Sequence, residues 1–105
     1  MKQMEHGVEK LGVALFHREM GRAYRDLGPD WADQTEKHLT KALRDFESMQ
    51  SPHNAAATRV ELGIYWRLLG EESEANALFK KAEDEFRKAG APRRIEELLS
   101  LRNAS

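Results

Sequence analysis

Cysteine is absent from the 105 residues. Disulfide frameworks, thiolate zinc sites and thiol catalysis are therefore excluded. Proline occurs 3 times and glycine 7 times, so no low-complexity or collagen-like tract is present. Neither sign of charge dominates. Lys plus Arg number 17 against 18 Asp plus Glu, giving a formal net charge of -1 and a pI near 6.4. A dominantly basic nucleic-acid binder is not the default reading. No run approaches the roughly 18 apolar residues of a membrane helix. The start, MKQMEHGVEK, has no apolar h-region, so no secretory signal is expected there and a cytoplasmic location is. No P-loop, GxSxG, GxGxxG or HExxH motif occurs, and His6, His17, His38 and His53 form no close pair in sequence. No catalytic residue, cofactor or metal ligand is assigned, and an enzyme is not expected.

What remains is charge and helical spacing. Charged residues make up 33 % and hydrophobic ones 40 %, a balance that suits amphipathic helices. Val13, Phe16, Met20, Tyr24 and Leu27 follow steps of three and four. Leu39, Ala42, Leu43, Phe46 and Met49 do the same, as do Val60, Ile64 and Leu68, then Leu78, Phe79, Ala82 and Phe86. Ile95, Leu98 and Leu99 suggest a short fifth helix. The spacing and breaks predict helices over 8–27, 30–50, 53–69, 72–89 and 93–102, with residues 1–7 and 103–105 frayed. Gly28 and Gly70 suit left-handed helix ends, Asp30 and Ser51 suit N-caps, and Pro52 suits a first helical position. The length fits one domain, 1–105, whose short connections make consecutive helices antiparallel.

The chain also repeats itself. GRAYRDLG at 21–28 realigns with GIYWRLLG at 63–70, an offset of 42. Lys41, Ala42, Phe46 and Pro52 realign with Lys81, Ala82, Phe86 and Pro92 at an offset of 40, the difference falling in the longer turn GPDWADQ. Repeat one spans about 10–51, repeat two about 52–91, and a capping helix about 92–102. Small residues at Gly21, Gly63, Ala42 and Ala82 let partner helices approach closely. A single helix pair cannot bury its apolar face alone, so pairs stack.

These residues resemble a tetratricopeptide repeat, with its W-x2-L-G-x2-Y, A-x3-F and A pattern. Leu62, Gly63, Trp66, Gly70, Ala75, Phe79 and Ala82 carry the resemblance in repeat two, and Gly21, Tyr24, Gly28, Leu39 and Ala42 in repeat one. The pattern departs at Arg59, His17, Met20 and Thr35. The period also exceeds the family's 34 residues, as in the longer repeats of bacterial regulatory and signalling proteins. The resemblance implies an all-α fold of antiparallel hairpins stacked as a short right-handed solenoid.

It also implies a non-catalytic module that binds a protein or peptide on the concave face of the first helices. Arg18, Arg22 and Arg25, with Val60, Ile64 and Arg67, are then the partner-binding candidates. Arg18, Arg22 and Arg25 share one helical face, and with Arg67 they suit an acidic segment. A solvated face with local ion pairs is the plainer reading of the same arginines. The Lys/Asn carboxylate clamp of some family members is missing. The run KKAEDEFRK offers i,i+4 pairs Lys80–Asp84, Lys81–Glu85 and Asp84–Lys88. The alternative function is self-association, with Trp31, Phe16 and Met20 covered in a homodimer. Nucleic acid and membrane are not expected as partners.

Overall fold

The structure, a computed structural model, describes residues 2–103, and side chains from residue 9 onward. Among the described residues it is all-α: helices α1 (Lys2–Leu27), α2 (Ala32–Ser48), α3 (Pro52–Leu68), α4 (Glu72–Lys88) and α5 (Pro92–Asn103), with a 3-10 turn at Pro29–Trp31. The expected helices are all present. Their ends agree within two residues except at the start of α1. The expected frayed start is helical from Lys2, because Lys2, Gln3, Met4 and Glu5 are strong helix formers and no proline stops the chain there. Asn103, also expected to fray, closes α5. Met1 and residues 104–105 lie outside the described residues.

The chain divides into two compact units, Met1–Ser51 and Pro52–Ser105. The division falls between Ser51 and Pro52, where α3 begins. In the first unit α1 packs along α2, and in the second α3 packs along α4 with α5 against α4. Each hairpin is built on the same contact. A Cβ placed on Gly21 would lie 2.5 Å from Leu39 Cγ, and one on Gly63 would overlap the Phe79 ring. Gly21 and Gly63 are 42 residues apart and Leu39 and Phe79 are 40 apart, so the repeat read from the sequence is a repeat of packing. Ala42 and Phe46 are fully buried in α2, as Ala82 and Phe86 are in α4. In the second unit Ala56, Ala75, Phe79, Ala82, Phe86 and Leu98 form one buried cluster, flanked by Val60, Ile64, Ile95 and Leu101.

The helix ends explain the turns. Gly70 N–H donates to Arg67 O at 3.0 Å and Glu71 N–H to Trp66 O at 2.9 Å, which closes α3 in a Schellman motif. Gly90 and Ala91 close α4 in the same way on Arg87 O and Phe86 O. Gly70 and Gly90 take φ of 83° and 66°. The matching position in repeat one is Gln50, whose φ is 55°, with Gln50 N–H donating to Glu47 O and Ser51 N–H to Phe46 O. A side chain there carries left-handed strain that glycine avoids. The expected Asp30 cap does not form. Pro29–Trp31 close a 3-10 turn through Trp31 N–H to Gly28 O at 3.1 Å, and Trp31 becomes the N-cap of α2 without a side-chain bond.

Gly21→Ala and Gly63→Ala each lose about 1–3 kcal/mol in urea unfolding, whereas Gly12→Ala, with nothing within 4 Å of its added Cβ, gains about 0.5–1 kcal/mol. Gln50→Gly raises the unfolding midpoint by relieving roughly 1 kcal/mol of strain, and Gly90→Gln lowers it by a similar amount.

Candidate functional site

Three groups of side chains stand out, two in the first unit and one in the second. The second unit holds a cleft of about 280 Å³ between α3, α4 and α5. Val60 and Ile64, two of the expected partner-binding residues, line it with Leu98 and Leu101. Their spacing of four places both on one face of α3. Half-buried Glu61 and exposed Arg94 and Glu97 line the cleft as well, with Arg94 Nη1 3.5 Å from Glu97 Oε2. The cleft thus combines an apolar lining with charged groups of both signs.

Arg67 belongs to the same unit but not to that cleft. Its Nη1 donates to Leu101 O at 2.8 Å and its Nη2 to Arg102 O at 3.2 Å, while the guanidinium carbon lies 5.2 Å from the Phe79 ring centre. These carbonyls belong to the last turn of α5, where backbone acceptors have no helical partner and a cation is favoured. Arg67 therefore caps α5 from α3. Glu83 of α4 adds a second tie, accepting from Arg102 at 3.1 Å and from Arg87. Arg59, where the repeat pattern often has Trp, is buried and pairs with Glu85 at 3.3 Å. Glu83 and Glu85 thus take the arginines of neighbouring helices. Among the described residues, the expected Lys80–Asp84, Lys81–Glu85 and Asp84–Lys88 pairs do not form.

The three arginines of α1 have acids beside them. Glu19 lies 4.0 Å from Arg18 and 3.6 Å from Arg22, and Asp26 lies 3.4 Å from Arg25. Arg18 also lies over the Phe46 ring at 5.6 Å, which ties it to the hairpin core. Arg22 is half-exposed, whereas Arg18 and Arg25 are mostly covered. Elsewhere on α1, Val13, Phe16, Ala23 and Leu27 are exposed and Met20 half-buried, spaced three, four, three and four apart. Phe16 is 58 % and Leu27 63 % exposed.

The sequence offered no warning of the third group. His17 of α1 and His38 of α2 meet Nδ1 to Nδ1 at 2.9 Å. Tyr24 stacks on His38 at 5.5 Å and on Trp31 at 5.3 Å. No spacing within one helix announces such a pair; only the crossing of two helices makes it. Burial first, then the charges of His17 and Lys37, holds the His38 pKa below the ordinary 6.5. The folded hairpin favours neutral His38, so as pH falls the unfolded chain takes up the proton first. Stability present above the ordinary histidine value is lost as pH drops through and below it.

No protein-family model, curated protein or solved structure matches the chain. Among the described residues, no group of three or more His, Cys, Asp or Glu could hold a metal ion. Among the described residues, no helix is long and apolar enough to cross a membrane.

The capping role of Arg67 is checked by stability. Arg67→Met leaves two α5 carbonyls without their charged donor and costs about 1.5–3 kcal/mol in chemical unfolding, whereas Arg22→Ala stays within about 0.5 kcal/mol.

Proposed function

We propose that the protein is a non-catalytic, tetratricopeptide-like interaction module that takes a peptide or protein segment in the cleft of its second unit. The carrying observation is an open cleft lined by apolar Val60, Ile64, Leu98 and Leu101 together with charged Glu61, Arg94 and Glu97. Most recognition pockets share this form, an apolar base with a few polar groups that fix orientation. The repeated Gly21–Leu39 and Gly63–Phe79 packing supports the repeat reading. In this reading Val60 and Ile64 contact the partner and Arg67 holds α5 as a wall of the cleft. Arg18, Arg22 and Arg25 are secondary contacts, because Glu19 and Asp26 already offset their charge. The cleft's mixed charge suits a partner segment with an apolar anchor and charges of both signs more than a purely acidic one.

A second reading, homodimerisation through α1, is favoured by the exposed row Val13, Phe16, Ala23 and Leu27. Steps of three and four are the spacing of a helix–helix seam. Both readings fit a cytoplasmic protein of a regulatory or signalling system.

Two measurements separate them. Peptides selected from a random display library against the full chain bind Val60→Thr and Arg94→Glu at least tenfold more weakly than the unaltered protein. Equal binding to these variants would refute the cleft. Light scattering over a hundredfold dilution gives a mass near 12.1 kDa if the cleft is the main surface. A persistent mass of twice that value, lost in Phe16→Glu, would favour the dimer.

A further inference from the structure

We infer that His17 and His38 form a proton-operated latch between α1 and α2, closed while their facing nitrogens share one proton and opened when both rings are protonated. The geometry has room for one proton only. The Nδ1 atoms are 2.9 Å apart and the ring centres 5.1 Å. The second distance exceeds the first by about two ring radii, so both nitrogens lie close to the line between the centres and meet nearly head-on. In the neutral pair one ring is the Nδ1–H tautomer and donates, and the other accepts through its bare Nδ1. A first added proton goes to the Nε2 of the donor ring, and the bond becomes charge-assisted. A second must go to the bare Nδ1, which already faces an N–H. Two donors then point at each other, and the rings must part.

Beyond the pair itself, burial and the charge of Lys37 also disfavour a proton on His38. The charged groups facing it across a cleft of about 510 Å³ all come from α2: Asp33, Glu36, Lys37, Lys41 and Arg44. Lys41 is paired with Asp45 at 2.9 Å. Of the remaining two cations and two carboxylates, Lys37 is the one whose charge acts on His38. Among the described residues of α1, His17 lines this cleft, and Trp31 of the 3-10 turn stacks on Tyr24. A metal ion is a poor occupant. Two lone pairs aimed along one line do not converge on a point to its side, and no third ligand joins them among the described residues.

The stack carries the opening outward. His38 lies against Tyr24 at an interplanar angle of 12°, and Tyr24 against Trp31 at 25°. Parting the histidines frees the inner end of this stack, and Trp31, at its outer end, reports the change. The second repeat has Arg59 and Leu78 at the matching positions. That pair cannot share a proton, so the response is confined to the first hairpin.

The test uses the full chain with Trp66→Phe, which leaves Trp31 as its one tryptophan. Imidazole nitrogen spectra are followed through the histidine range, about pH 5 to 8 and below. The expected result is one ring of the pair in the Nδ1–H tautomer at neutral pH, protonation in two separated steps, and a shift of Trp31 emission with the second step. His38→Leu, the residue the second repeat carries, leaves His17 with a single step and Trp31 emission flat. Two Nε2–H tautomers titrating independently would overturn the latch. So would Trp31 emission unmoved by the second step, or moving equally in His38→Leu. If His38→Leu fails to fold, the tautomer and the two steps of the chain that keeps both histidines decide alone.

Discussion

Each hairpin rests on one close approach, the backbone of a glycine against a large apolar side chain of the next helix. Gly21 against Leu39 and Gly63 against Phe79 set how near the two helix axes come. Ala42, Phe46, Ala82 and Phe86 can be fully buried only because that distance is short. Interiors packed this tightly tolerate little extra volume, so a single methyl group at the crossing disturbs the layer on both sides. The histidine contact depends on the same spacing. His17 and His38 meet because α1 and α2 run close enough for two short side chains to touch.

Much of this was legible in the residues. Steps of three and four marked all five helices, and the break at Gly70 marked a turn whose hydrogen bonds match its position. The offset between GRAYRDLG and GIYWRLLG pointed to repeated packing because glycine in a helix interior is costly unless something occupies the space. Asp30 misled because a good capping residue caps only where the chain enters the helix, and Pro29 delays that entry by a 3-10 turn. The lysine run of α4 misled for a related reason. Spacing identifies which charges can meet within a helix, whereas the arginines of α3 and α5 reach Glu85 and Glu83 from outside it.

The candidate site divides along the same line. Val60 and Ile64 were legible as members of one helical face, and both line the cleft. Arg67 shared the surface chemistry of Arg22 in the sequence, yet its place at the end of α3 puts it beside the last carbonyls of α5. The difference lies in where a neighbouring helix ends, which no local pattern records. The histidine pair is the extreme case, since its two members sit 21 residues apart on different helices.

The Arg67 cap ties the width of the cleft to the end of a helix. Leu101 belongs to both, through its place in the cleft lining and its carbonyl under the guanidinium. A segment that wedges α5 outward must stretch those carbonyl bonds, so its affinity includes the work of uncapping. By thermodynamic reciprocity, whatever changes the cap changes affinity by the same factor that binding changes the cap. The last turn of α5 is thus an energetic lever on a cleft that it also helps to line.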